Sequence, residues 1–72
     1  MNERYIRALV KLTRVANADL LNATIDHILY GETQSGSANK HGVKQEAVAR
    51  LAKRIIGLDR QVSDIIKLKN NT

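Results

Sequence analysis

Across 44–54 the chain sets out Lys44, Gln45, Glu46, Ala49, Arg50, Lys53 and Arg54 around a sparse set of small and aliphatic residues. Arginine carries a planar fork of donors, glutamine a paired donor and acceptor, and lysine a mobile point charge. Groups of this kind suit planar, hydrogen-bonding edges and anionic oxygens together. On one helix face they are what a duplex presents for in its major groove and along its phosphates. Thr33 and Gln34, at the start of the preceding helical stretch, join the set as candidate DNA contacts.

Reaction chemistry finds no comparable set. His27 and His41 are not at metal-ligand spacing with each other or with clustered carboxylates. His27 reads as a partly packed residue, and His41 as one that caps a helix end or packs on the core. Asp19 and Asp26 fall two turns apart on one helix face, too far for a shared proton. No glycine-rich phosphate loop and no nucleophile with an evident base is present. Neither catalysis nor a metal, a cofactor or a small-molecule ligand is expected.

The elements that position the polar face are legible in 34–51, QSGSANKHGVKQEAVARL, which reads as helix, tight turn and helix. Ala38 is small where the two helices cross. Gly42 lacks a Cβ and suits the positive φ that ends the first helix. Val43 is expected in the angle between the helices, and Val48 and Leu51 pin the second helix to the core. Ala38, Gly42, Val43, Val48 and Leu51 keep the spacing of a DNA-reading helix-turn-helix. Gly36 sits inside the first helix at a cost of about 1 kcal/mol relative to Ala. Ser37 and His41 stand where such units usually place an apolar side chain.

The rest of the chain supplies the frame. Apolar positions at Ile6, Leu9, Val10, Leu12, Thr13 and Val15 predict a helix over 3–16, with Asn2 as its cap and Glu3 in its first turn. Asn17 caps a second helix to about Tyr30, with Leu20, Leu21, Thr24, Ile25, Ile28 and Leu29 inward, and Gly31 ends it. Thr33 caps a third helix, 34–41. A fourth, about 44–56, buries Ala47, Val48, Leu51, Ala52, Ile55 and Ile56 until Gly57 breaks it. Asp59 then caps a fifth, about 60–68, carrying Val62, Ile65, Ile66 and Leu68, before a fraying tail of Asn70, Asn71 and Thr72. The expectation is an all-α domain of five helices, with no linker or repeat dividing it.

Seventy-two residues are near the lower limit for one self-sufficient apolar core. Without Trp or Phe, and with only Tyr5 and Tyr30 as aromatics, that core must be aliphatic. So small a core favours pairing with a second copy. Leu12 and the terminal helix are expected to form an aliphatic patch away from the polar face, through which copies associate into a homo-oligomer. Absent cysteines exclude disulfides and thiolate metal sites. Charged residues interrupt every apolar run, so neither a membrane span nor a signal peptide is read, and a cytoplasmic location is expected. The net charge is +5 and the pI about 10.0. Basic residues crowd 1–16 and 40–60, while 17–32 is acidic, an arrangement that points to an anionic partner.

With these residues in view, the chain resembles the PapB-like regulators of fimbrial adhesin operons in enteric bacteria. The likeness runs without gaps over about 6–68. It rests on the aliphatic first helix, on Ala23, Asp26, Leu29 and Gly31, on Lys40, and on Arg54, Ile55 and Leu58. Plasmid repressors of the KorA (TrfB) kind share the turn pattern and are the nearest rival. The resemblance implies an all-helical transcription factor that binds AT-rich regulatory DNA, often as adjoining copies. At 44–50 the chain departs from the family, which places polar and aromatic residues there, and is closer to a phage-repressor reading helix. Another class of function stays open: a helical interaction module of the antitoxin or anti-activator type, burying the 45–53 face against a partner protein. RNA binding through the same face would lack stacking aromatics.

Overall fold

The computed structural model describes residues 1–15 and 17–70. Among them the chain is all-helical, with four helices: α1 (Glu3–Val10), α2 (Ala18–Leu29), α3 (Gln34–His41) and α4 (Gln45–Asn70). The local signals at the helix starts act as read. The Asn2 carboxamide oxygen accepts the Tyr5 amide at 2.8 Å, that of Asn17 accepts the Leu20 amide at 3.1 Å, and the Thr33 hydroxyl accepts the Gly36 amide at 3.0 Å. Each satisfies an amide that the first helical turn leaves without a partner.

Two boundaries differ from expectation. The first helix stops at Val10 rather than reaching 16; Ala16 and the last two tail residues, Asn71 and Thr72, lie outside the described residues. Thr13 is the cause of the early stop. Its hydroxyl donates to the Val10 carbonyl at 2.7 Å and accepts the Val15 amide at 3.1 Å. Backbone bonds from Leu12 to Leu9 and from Thr13 to Val10 tighten the last turn.

The second correction removes the break at Gly57. What was expected as two helices is one of 26 residues, and Asp59 caps nothing. Positive φ among the glycines occurs only at Gly31 and Gly42. Gly57 keeps helical geometry on the solvent side of α4, one turn from Lys53, Arg54, Arg60 and Gln61. An interior glycine costs a helix about 1 kcal/mol. Leu58 and Val62 offset this by packing on the core just beyond it, and Asp59 accepts the Tyr5 hydroxyl at 2.7 Å. Giving up that donated bond, and placing a phenolate beside the carboxylate, pushes the Tyr5 hydroxyl above its ordinary range.

Two apolar clusters hold the helices together. The larger gathers Ile6, Leu9 and Val10 of α1, Ile25 of α2, and Leu51 and Ile55 of α4. The smaller joins Ala23, Ala38 and Val48, one residue from each of α2, α3 and α4, with Val43 half-buried against them. Leu20 touches both. The buried Thr24 and Ser37 hydroxyls donate to the Leu20 and Gln34 carbonyls, so Ser37 sits in an apolar position with its hydrogen bond made locally. Ile56, expected inside, is 55% exposed, and Ala47 is only half-buried. Among the described residues no helix is long and apolar enough to cross a membrane.

Candidate nucleic-acid interface

The α3–α4 corner is built from Gly42 outward. Gly42 takes φ 68° and ψ 33°, and the Val43 amide returns to the Ala38 carbonyl at 3.0 Å. This closes α3 with a left-handed glycine one residue past its last turn. Ala38, 2% exposed, then lets α4 approach closely enough for Val48 to reach α2 and α3 together.

An ionic network, not legible in the sequence, anchors the same corner to the end of α2. His41 Nε2–H donates to Asp26 at 2.6 Å. Lys40 lies 3.6 Å from Asp26 and 3.5 Å from Glu32, while His27 Nδ1–H donates to the Glu32 carbonyl at 2.7 Å. His41 thus neither caps its helix nor packs on the apolar core. Its hydrogen bond, aided by the Lys40 charge and opposed by partial burial, holds the Asp26 carboxyl below its ordinary range. Ala23, Asp26 and Lys40 are accordingly residues that fix the corner.

α4 carries six of the nine candidate contacts on its first three turns, and Lys44 stands immediately before it. Lys44, Gln45, Glu46, Arg50, Lys53 and Arg54 are exposed, and Ala49 is half-buried. Among the described residues, no carboxylate pairs with Lys44, Arg50, Lys53 or Arg54. Glu46 sits in the first turn, where its charge complements the helix dipole as well as any ligand. Thr33 and Gln34 are placed differently. They stand at the far end of α3 from the turn, the Thr33 hydroxyl is engaged as a cap, and the Gln34 side chain is half-buried.

Beside this face runs an open groove of about 670 Å³. Leu12, Val15, Leu20, Ala47 and Leu51 line it, with Arg14 entering from the α1–α2 connection and Arg50 and Arg54 from α4. Leu12, 66% exposed, therefore stands beside the polar face rather than with the terminal aliphatic residues. Arg14 was not among the sequence candidates. Its only signal is basic charge, shared with every lysine and arginine around it. Among the described residues no group of three or more His, Asp or Glu side chains gathers as a metal site would require. No family model, curated protein or solved structure matches this chain.

Proposed function

We propose that the chain is a sequence-preferring DNA-binding transcription regulator, a helix-turn-helix domain that lays the first turns of α4 into the major groove. One observation carries the reading: the left-handed turn at Gly42 holds α4 across α3 with Lys44, Gln45, Arg50, Lys53 and Arg54 exposed and, among the described residues, without a carboxylate partner. Guanidinium and carboxamide groups at one-turn spacing suit guanine and adenine edges, and the flanking lysines suit phosphates. The net charge of +5 favours the same partner. Resemblance to PapB-like regulators supports control of fimbrial or adhesin genes through AT-rich sites. A plasmid-borne repressor is the nearest variant of that reading.

Copies associate through the second half of α4 in this proposal. Ile65, Ile66 and Leu68 are exposed, and Leu58 and Val62 are only partly covered. These side chains offer on the order of a few hundred Å² per copy, against about 800 Å² per partner in a stable complex. Association therefore belongs on DNA, where neighbouring sites supply the effective concentration.

Selection from random duplexes, followed by binding of Arg50→Ala to the selected and to an unselected duplex, tests the reading. A base contact predicts an extra loss of about 1–3 kcal/mol on the selected site. Equal losses on both would assign Arg50 to phosphate. Failure of the wild-type chain to bind any duplex would overturn the proposal.

A further inference from the structure

Resting on the DNA-binding reading above, we infer that Arg14 is a second point of contact, clamping the sugar–phosphate backbone beside α4 from the α1–α2 connection. Arg14, Arg50 and Arg54 line one groove although 36 and 40 residues separate Arg14 from the other two in sequence (50 − 14 and 54 − 14). Among the described residues no carboxylate lines that groove, and none pairs with any of the three guanidiniums. Three like charges converging without a counter-ion repel one another and are relieved by a polyanion.

The groove is also continuous with the proposed reading face, because Arg50 and Arg54 belong to both. They stand four residues apart, about 6 Å along α4, and with Arg14 across the groove the three suit an extended anion with several charged groups. A DNA strand passing over the flank of a helix seated in the major groove has that form. The apolar lining by Leu12 and Val15 suits the carbon faces of deoxyribose between the phosphates. The early end of α1 is what makes this possible. α1 ends at Val10, and the turn held by the Thr13 hydroxyl leads to Arg14 outside the helix, where it lines the groove with Arg50 and Arg54.

Lys11 supplies the control. It is exposed, lies on the same connection and carries the same charge, but faces a different part of the surface with Glu3, Arg4 and Arg7. The experiment measures binding of wild type, Arg14→Ala, Arg14→Lys and Lys11→Ala to the selected and to a random duplex across a potassium chloride series. Thermal melts accompany each variant, and all should match wild type. Arg14→Ala should weaken both duplexes by the same factor, about tenfold at 0.1 M salt, and make the log–log salt slope shallower by about 0.9. Arg14→Lys should keep the wild-type slope, since a phosphate needs charge rather than a fork, and Lys11→Ala should keep it too. A wild-type slope in Arg14→Ala would overturn the inference and reassign the groove to a protein partner, leaving the reading face intact. An equal effect of Lys11→Ala would also overturn it, by reducing Arg14 to general charge. Loss confined to the selected duplex would overturn the backbone assignment in favour of base reading. A wild-type chain without salt-dependent duplex binding would overturn both this inference and the function on which it rests.

Discussion

In the first half of α4, Val48, Leu51 and Ile55 are shut away from water. In the second half the same alternating steps of three and four continue through Leu58, Val62 and Ile65, yet Leu58 and Val62 are half-covered and Ile65 is 62% exposed. The periodicity does not change at Gly57; the partners do. α3 packs only where the corner brings it, and α1, stopped at Val10 by the Thr13 turn, is about 12 Å long against about 39 Å for α4. The outer end of α4 therefore runs past the body and helps set the 46 Å long dimension of a molecule 24 and 19 Å across. A helix persists on local hydrogen bonds, whereas burial needs something to lie against. The same stripe can thus be core at one end and interaction surface at the other.

The contrast can be broken most severely in its buried half. Ile55→Ala should cost about 2–5 kcal/mol, because a fully enclosed side chain leaves a cavity, while Ile65→Ala should fall within about 0.5 kcal/mol. Urea denaturation of the two variants measures the difference directly. Similar losses would mean that the outer half of α4 is packed as tightly as the inner.

Gly42→Val strikes the corner that gives the first half its partners. A β-branched residue at φ 68° costs on the order of 1–3 kcal/mol. Melting temperature and duplex binding should fall together, and an unaltered melt would contradict a left-handed turn at that position.

The junction between the halves predicts a smaller change of opposite sign. A Cβ at Gly57 meets nothing within 4 Å, so Gly57→Ala should stabilise by about 0.5–1 kcal/mol. Gly36→Ala sharpens the point. Its Cβ would lie 2.8 Å from the Thr33 hydroxyl that caps α3, so the propensity gain is offset by disturbing the cap. Thermal melts should rank Gly57→Ala above wild type and Gly36→Ala no higher than wild type. Destabilisation by Gly57→Ala would argue for a bend there.

The smallest effect is the pH dependence of the α2–α3 anchor. Asp26 is held below its ordinary value in the folded chain, so its contribution to stability is complete above about pH 4. That contribution drains away as the pH drops through the lower, folded-state value. Wild type should lose denaturation midpoint as the pH falls below about 4 more steeply than Asp26→Asn, in which His41 and Lys40 face a neutral partner. Parallel acid limbs would remove Asp26 from the anchor.

Sequence alone determined whatever is decided within one or two turns of chain. Asn2, Asn17 and Thr33 cap helices through bonds to amides three residues on, and Gly42 ends α3 because a residue without Cβ is followed at once by a buried Val43 contact. The inward residues Ile6, Leu9, Ile25, Val48, Leu51 and Ile55 were legible for the same reason, since helical spacing puts them on one face. Tertiary structure decided what depends on distance through space. Gly57 looks in sequence like the glycine at 42, but glycine permits a left-handed turn without compelling one, and packing of Leu58 and Val62 with the Tyr5–Asp59 bond carried the helix through. Ile56 fell outside because, among the described residues, nothing covers its side of α4. His41 met Asp26 fifteen residues away, and Arg14 met Arg50 and Arg54 across a groove, through neighbours that no periodicity encodes. Pairings of that kind exist only once the helices are packed, because charge and hydrogen-bonding groups act on whatever stands within a few ångströms, wherever it lies in the chain.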